Sequence, residues 1–205
     1  MYKYKKKEII INDLKKYVGN EVLFECEQFR IKYRDRMGIV GNSGIGKTTF
    51  LNMLAGLDKK FDGIIENNFN RTFFVPQFDE FPNWLGVNYI IRRAKHLSKI
   101  SDIQGNFIID QLGLNSLFQQ KYGTLSGGQR KVVLVGVALL SLPDLLILDE
   151  AFNGIDDNKR RELFTFLNKW IENNKITLIF VSHNKNDLAL LTNKVIKIKN
   201  KRITF

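Results

Sequence analysis

Eight residues constrain this chain more than any others: Gly41-Asn42-Ser43-Gly44-Ile45-Gly46-Lys47-Thr48, set between the apolar run Met37-Gly38-Ile39-Val40 and the helix-forming stretch Lys47 to Ala55. Glycines let a backbone turn through conformations that side chains forbid and bring its N–H groups against an anion. Strand, glycine-rich loop and helix form the context in which this spacing cradles phosphates. The helix N-terminus adds partial positive charge, Lys47 reaches toward β- and γ-phosphates, Thr48 offers a hydroxyl to Mg²⁺, and Thr49 follows in the same turn. A bare glycine turn capping a helix is the competing reading, and the flanking elements disfavour it.

Further along, four aliphatic residues, Leu145 to Leu148, run directly into Asp149 and Glu150. So short and continuous an apolar run suits a parallel strand buried on both faces. The C-terminal ends of such strands are where doubly wound sheets place ligands. Asp149 there can hold Mg²⁺ through its water shell, and Glu150 can orient or deprotonate a water in line with a γ-phosphate. Alone, the acidic pair would read as a solvated strand end. After a phosphate loop it does not.

Between these two signals lies Leu125-Ser126-Gly127-Gly128-Gln129. With it, the chain resembles an ATP-binding cassette (ABC) ATPase, the nucleotide-binding subunit of a transporter, whose LSGGQ signature these residues match letter for letter. The resemblance implies that Ser126, Gly127, Gly128 and Gln129 close over ATP held by a second ABC ATPase subunit in a head-to-tail dimer. A Ser-Gly-Gly sequence before an apolar helix also suits a plain N-cap.

The resemblance extends to other positions. Val75-Pro76-Gln77 is similar to the Q-loop, which implies that Gln77 senses Mg²⁺ and the attacking water. Asn153-Gly154-Ile155-Asp156 is similar to the interface-crossing D-loop, with Asp156 near nucleotide, and Phe180-Val181-Ser182-His183 ends in a switch histidine facing the γ-phosphate. Tyr17, 24 positions before Gly41, is the candidate for stacking on adenine; Tyr2, Tyr4 and Phe24 compete for that role. The stretch Phe78 to Leu85 resembles the place where a membrane partner inserts a short coupling helix, although Phe78, Phe81 and Trp84 could equally pack a local core. Two departures stand out. LSGGQRKVVLVGVALL has Val132 and Val137 where LSGGQRQRVAIARAL has basic residues, and Ala151-Phe152 replaces the usual Pro-Thr before the D-loop.

Length and composition fit one such unit. The chain has 205 residues and no second phosphate loop, so it supplies one set of motifs. Its longest apolar stretch, Val132 to Leu142, is too short to span a bilayer. The lysine-rich start lacks the apolar core of a secretion signal, and a single cysteine, Cys26, cannot pair internally. Net charge is +11, from 32 basic and 21 acidic residues. Apart from Lys3 to Lys7 the basic residues are dispersed, with no aromatic-interleaved stripe, which argues against nucleic acid as a partner.

The expected fold is α/β: a P-loop NTPase core with a mainly parallel sheet, an N-terminal antiparallel β part and an inserted helical subdomain. Residues 1–77 and 141–205 form the nucleotide-binding core, with antiparallel strands to about residue 36, and 78–140 the signature subdomain, where 87–97 and 103–112 read as helices. A final short strand ends at Phe205, leaving no regulatory C-terminal domain. The expected function is a cytoplasmic ATPase subunit, peripheral on the inner face of the membrane, that dimerises around two ATP and drives a separate transmembrane permease. A soluble ABC mechanoenzyme and a non-transport regulator are the alternatives.

Overall fold

A computed structural model describes residues 6–78 and 81–205. The lysines and tyrosines of residues 1–5, and the acidic pair after Phe78, lie outside the described residues. Among the described residues nine strands form a single mixed sheet.

The chain starts with two long strands, β1 (Glu8–Val18) and β2 (Glu21–Lys32), paired antiparallel. They lead into β3 (Arg36–Val40), the phosphate loop and α1 (Lys47–Leu54). Next come β4 (Asp62–Asn67), β5 (Thr72–Val75), α2 (Val87–Ser98), α3 (Asp102–Gln111), two short 3₁₀ turns and α4 (Gly127–Leu140). The remainder alternates: β6 (Leu145–Asp149), α5 (Asp157–Asn173), β7 (Thr177–Val181), α6 (Lys185–Leu191), β8 (Lys194–Lys199) and β9 (Arg202–Thr204). Strand order across the sheet is β4-β1-β2-β9-β8-β3-β7-β6-β5.

The five strands from β8 to β5 run parallel. β1, β2 and β4 form the antiparallel end, and β9 stitches the two regions together by pairing antiparallel with β8 and parallel with β2. The N-terminal antiparallel part is therefore continuous with the core sheet. Its third strand, β4, comes from beyond α1, a return that the sequence pattern did not signal.

The central parallel strands β6 and β7 bury both faces, which is why their sequences are continuous apolar runs, whereas β8 buries only Ile196 and Ile198. Leu145 and Ile147 of β6, with Ile179 and Val181 of β7, pack against Phe50, Leu51 and Leu54 of α1. On the opposite face Leu146, Leu148, Leu178 and Phe180 meet α2 to α6, including Ile91, Ile108, Leu139, Leu167 and Leu188. The helical segment thus shares one apolar cluster with the core strands. Fully burying each such side chain contributes about 1.5–3 kcal/mol.

Register sets the rest. Ile39 pairs with Val181, Val181 with Asp149, and Val75 with Leu148. Gly41, Ser182, Glu150 and Pro76 consequently leave the sheet along one edge, at the C-terminal ends of neighbouring parallel strands, where a doubly wound sheet forms its ligand crevice.

Candidate active site

The phosphate loop is shaped by two glycines that nothing else could replace. Gly46 is the N-cap of α1 at φ 100°, and a Cβ there would come within 2.9 Å of Leu23 and Phe24. At Gly41 a Cβ would meet the Ile198 carbonyl at 2.8 Å. No side chain caps α1, and among the described residues no hydrogen bond claims the backbone N–H groups of Gly46, Lys47, Thr48 and Thr49. Those free donors and the helix dipole make an anion site. Lys47 is buried, and its Nζ donates to the Gly41 and Asn42 carbonyls, each at 3.0 Å, so its charge lies inside the loop. Ser43, Gly44 and Ile45 complete the turn, with Ile45 N–H donating to Asn42 O.

Asp149 ends β6 fully buried, with neither carboxylate oxygen hydrogen-bonded. Burial raises its pKa above the usual carboxylate range; Thr48, Lys47 and Lys131 pull in the opposite direction and Glu150 adds to the rise. Thr48 stands beside this carboxylate without completing a well-formed hydrogen bond to it. Two orphaned buried oxygens are costly unless a cation meets them. The Thr48 hydroxyl, the Asp149 carboxylate and the Gln77 amide oxygen form a hard, all-oxygen donor set, so these residues fit Mg²⁺.

The next residue gathers the partners. Glu150 has φ 49°, its N–H donates to Val181 O, and its side chain is largely buried. His183 Nε2 lies 2.7 Å from Glu150 Oε1. Gln77 Nε2 donates to Glu150 Oε2 at 2.9 Å, and Asn153 Nδ2 donates to the same oxygen at 2.7 Å. Gln77, Glu150 and His183, widely spaced in the chain, therefore meet at one point. Asn153 joins them without having been singled out for that contact.

The signature residues stand apart. Ser126, Gly128 and Gln129 line a cavity of about 480 Å³ with Gly154, Asp156 and Lys159, and none of the P-loop residues borders it. Ser126 caps α4: its Oγ accepts from Gln129 N–H at 3.2 Å, while Gln129 Oε1 accepts from Ser126 N–H at 2.9 Å. A Cβ on Gly127 would meet nothing, whereas one on Gly128 would strike the Gly154 carbonyl at 2.8 Å. Asp156 caps α5 by accepting from Lys159 N–H at 3.0 Å.

Lys131 holds the helical segment to the site. This buried side chain donates from Nζ to the carbonyls of Pro76, at 3.1 Å, and Gln77. It supplies the tie that Val132 and Val137 cannot make. The signal was present as one lysine at the head of the apolar run VVLVGVALL, but its partner is a backbone 54 residues away. Arg130 acts closer by, donating to the carbonyls of Leu125 and Gly123 and lying over the Tyr122 ring.

Phe152 turns inward, against Phe164 and Phe180, and is core rather than interface. Phe81 packs edge-on against Tyr122, while Phe78 and Trp84 are more than two-thirds exposed. Tyr17 is partly exposed on β1, paired with Val22 one strand from the Leu23 that packs on Gly46. Cys26 is buried and unpaired, its thiol pushed up to about 11 by burial and then by Glu27. Among the described residues no helix is long and apolar enough to cross a membrane.

The sequence profile of the family described as ABC transporter matches residues 27–153. The molybdenum import ATP-binding protein ModC of Haemophilus influenzae is 28% identical over 204 residues, covering 92% of this chain and 57% of ModC, so the chain spans little more than half of that relative. The aliphatic sulfonates import ATP-binding protein SsuB 1 of Pseudomonas savastanoi is 30% identical over 184 residues, covering 90% of this chain and 77% of SsuB 1. A metal-chelate type ABC transporter solved in an inward-facing conformation superposes with a TM-score of 0.80 at 25% identity, over 97% of this chain and 82% of that one. Phosphate loop, buried strand-end carboxylates and signature helix, together with a profile match over more than half its length, show that the chain belongs to the ABC transporter family, as an ATP-binding subunit and an ATPase.

Proposed function

We propose that this chain closes head-to-tail on a second ABC ATPase subunit around two ATP and energises a separate transmembrane permease, working at the membrane surface. The observation that carries this reading is the division of the site. Lys47, Asp149 and Glu150 gather at one edge of the sheet, while Ser126, Gly128, Gln129 and Asp156 line a cavity that none of those three borders. Each half needs its complement from another subunit. The relatives' names describe import ATP-binding proteins, which supports a permease partner and an importing direction. Exposed Phe78 and Trp84, directly after Gln77, are suited to receive that partner. Residues 78–140 would form the signature subdomain, moving against the core formed by 1–77 and 141–205.

In this reading the loop N–H groups and Lys47 bind the β- and γ-phosphates, and Tyr17 stacks on adenine. Thr48, Asp149 and Gln77 hold Mg²⁺. That ion, when bound, neutralises charge on the phosphate oxygens. Glu150 takes the proton of the attacking water as the bond between the γ-phosphorus and the bridging oxygen breaks, and ADP leaves with the electron pair. His183 stabilises charge that develops on the γ-phosphate. Both Glu150 oxygens are engaged, so Gln77 and His183 must turn from the carboxylate toward the substrate before it can act.

Glu150→Gln tests the assignment. The variant should keep ATP affinity, lose roughly 10²–10⁴-fold in hydrolysis, and accumulate as an ATP-bound dimer in light scattering. Near-normal turnover would remove Glu150 from the role, and a monomer at saturating ATP would remove the dimer.

A further inference from the structure

The Glu150 carboxylate holds three donors, and they differ in what ATP would ask of them. His183 at Oε1 and Gln77 at Oε2 are both assigned to the nucleotide. Asn153, 2.7 Å from Oε2, has no such task. It lies three residues on, in a turn closed by its own N–H donating to Glu150 O at 3.2 Å, so its amide travels with the backbone that carries the carboxylate. Glu150 also sits at φ 49°, a conformation sparsely populated by residues with side chains. Such a backbone persists only where the surrounding structure holds it, here through the Glu150 N–H bond to Val181 O and the Asn153 N–H bond to Glu150 O.

We propose that Asn153 is a positioning residue for hydrolysis. Its Nδ2 keeps hold of Glu150 Oε2 when Gln77 and His183 turn away, and so leaves Oε1 facing the attacking water. The inference rests on Glu150 being the base, and it adds the group that aims it. A neutral amide donor suits this position. It stabilises the ionised carboxylate without carrying a charge that would compete with Lys47 for phosphate.

The test is a double-mutant cycle read by single-turnover hydrolysis and ATP titration. Asn153→Ala should lower the rate of hydrolysis by about 10- to 100-fold, the range for a hydrogen bond to a charged group, with ATP affinity changed by less than about twofold. Asn153→Gln, which keeps the donor on a longer arm, should recover part of that loss. In the Glu150→Gln background the further change to Asn153→Ala should alter the residual rate by less than about twofold, because no carboxylate remains to be aimed. Equal losses in both backgrounds would overturn the proposal, as would a loss confined to ATP affinity or an unchanged rate in the single variant. Asn153→Asp, similar in shape but placing like charge beside Glu150, should fall at least as far as alanine; full activity there would also overturn it. Failure of the base assignment has a different signature: Glu150→Gln alone would turn over normally, whatever the Asn153 variants do.

Discussion

At the start of α1, Gly46 caps the helix with no side chain and at φ 100°, leaving the first N–H groups unclaimed. At the start of α4, Ser126 and Gln129 close a reciprocal capping box over an equally glycine-rich turn. Both sequences read as anion sites, yet the two helix ends are prepared differently. In the phosphate loop no hydrogen bond among the described residues claims the first backbone donors of α1, and Lys47 donates to carbonyls of the loop itself. The signature turn is already satisfied in the lone chain. A phosphate presented by a partner subunit would have to compete with Gln129 for the Ser126 end of the helix.

The largest effect expected from breaking this contrast is at Lys47. Lys47→Ala removes the buried ammonium and should weaken ATP binding by roughly 10- to 100-fold, the worth of a charge-assisted hydrogen bond. Fluorescent-nucleotide titration measures it, and unchanged affinity would contradict the phosphate-loop assignment. A middle-sized effect separates the two signature glycines. Gly128→Ala drives a methyl against the Gly154 carbonyl, 2.8 Å from the ideal Cβ, and should cost about 1–3 kcal/mol as overpacking does. For a domain of this size that lowers Tm by roughly 2–10 °C. Gly127→Ala points into open space and should leave Tm unchanged or slightly raised. Equal melting temperatures for the pair would mean that the signature turn is not wedged against the D-loop. The smallest effect is at the cap itself. Ser126→Ala opens the capping box and should cost about 1 kcal/mol in thermal unfolding, whereas phosphate-loop residues, having no such cap to lose, offer no counterpart.

Much of this contrast was legible in the sequence because its causes are local. Gly44 and Gly46 take a positive φ that the turn itself demands, although the Ile198 carbonyl that excludes a side chain at Gly41 is a distant neighbour, and the S-x-x-Q pattern of Ser126 and Gln129 is a capping box wherever a helix follows. Strands buried on both faces show themselves as the runs Leu145–Leu148 and Thr177–Val181, and β2 begins and ends where its alternation does. Two strands went unread: β4, whose Asp62-Gly63 opening reads as a turn, and β8, although its buried Ile196 and Ile198 alternate with exposed lysines. Both are recruited by neighbours: β4 by β1, and β8 by β3. Phe152 shows the same limit: its place just before the D-loop gave no hint that the aromatic pair Phe164 and Phe180 draws it into the core.

The sequence by itself determined that a phosphate loop, two carboxylates at a strand end and a signature helix would form, because each depends on short-range conformation and burial periodicity. Only the tertiary structure decided which side chains meet. The order β3-β7-β6-β5 brings Gly41, His183, Glu150 and Gln77 to one edge, and the register between parallel strands places Glu150 within reach of both Gln77 and His183. The same folding sends Lys131 into the backbone of the Q-loop and turns Asn153 back onto Glu150. Pairings across such separations arise from packing a sheet between α1 on one face and five helices on the other, and no local pattern of residue types encodes them.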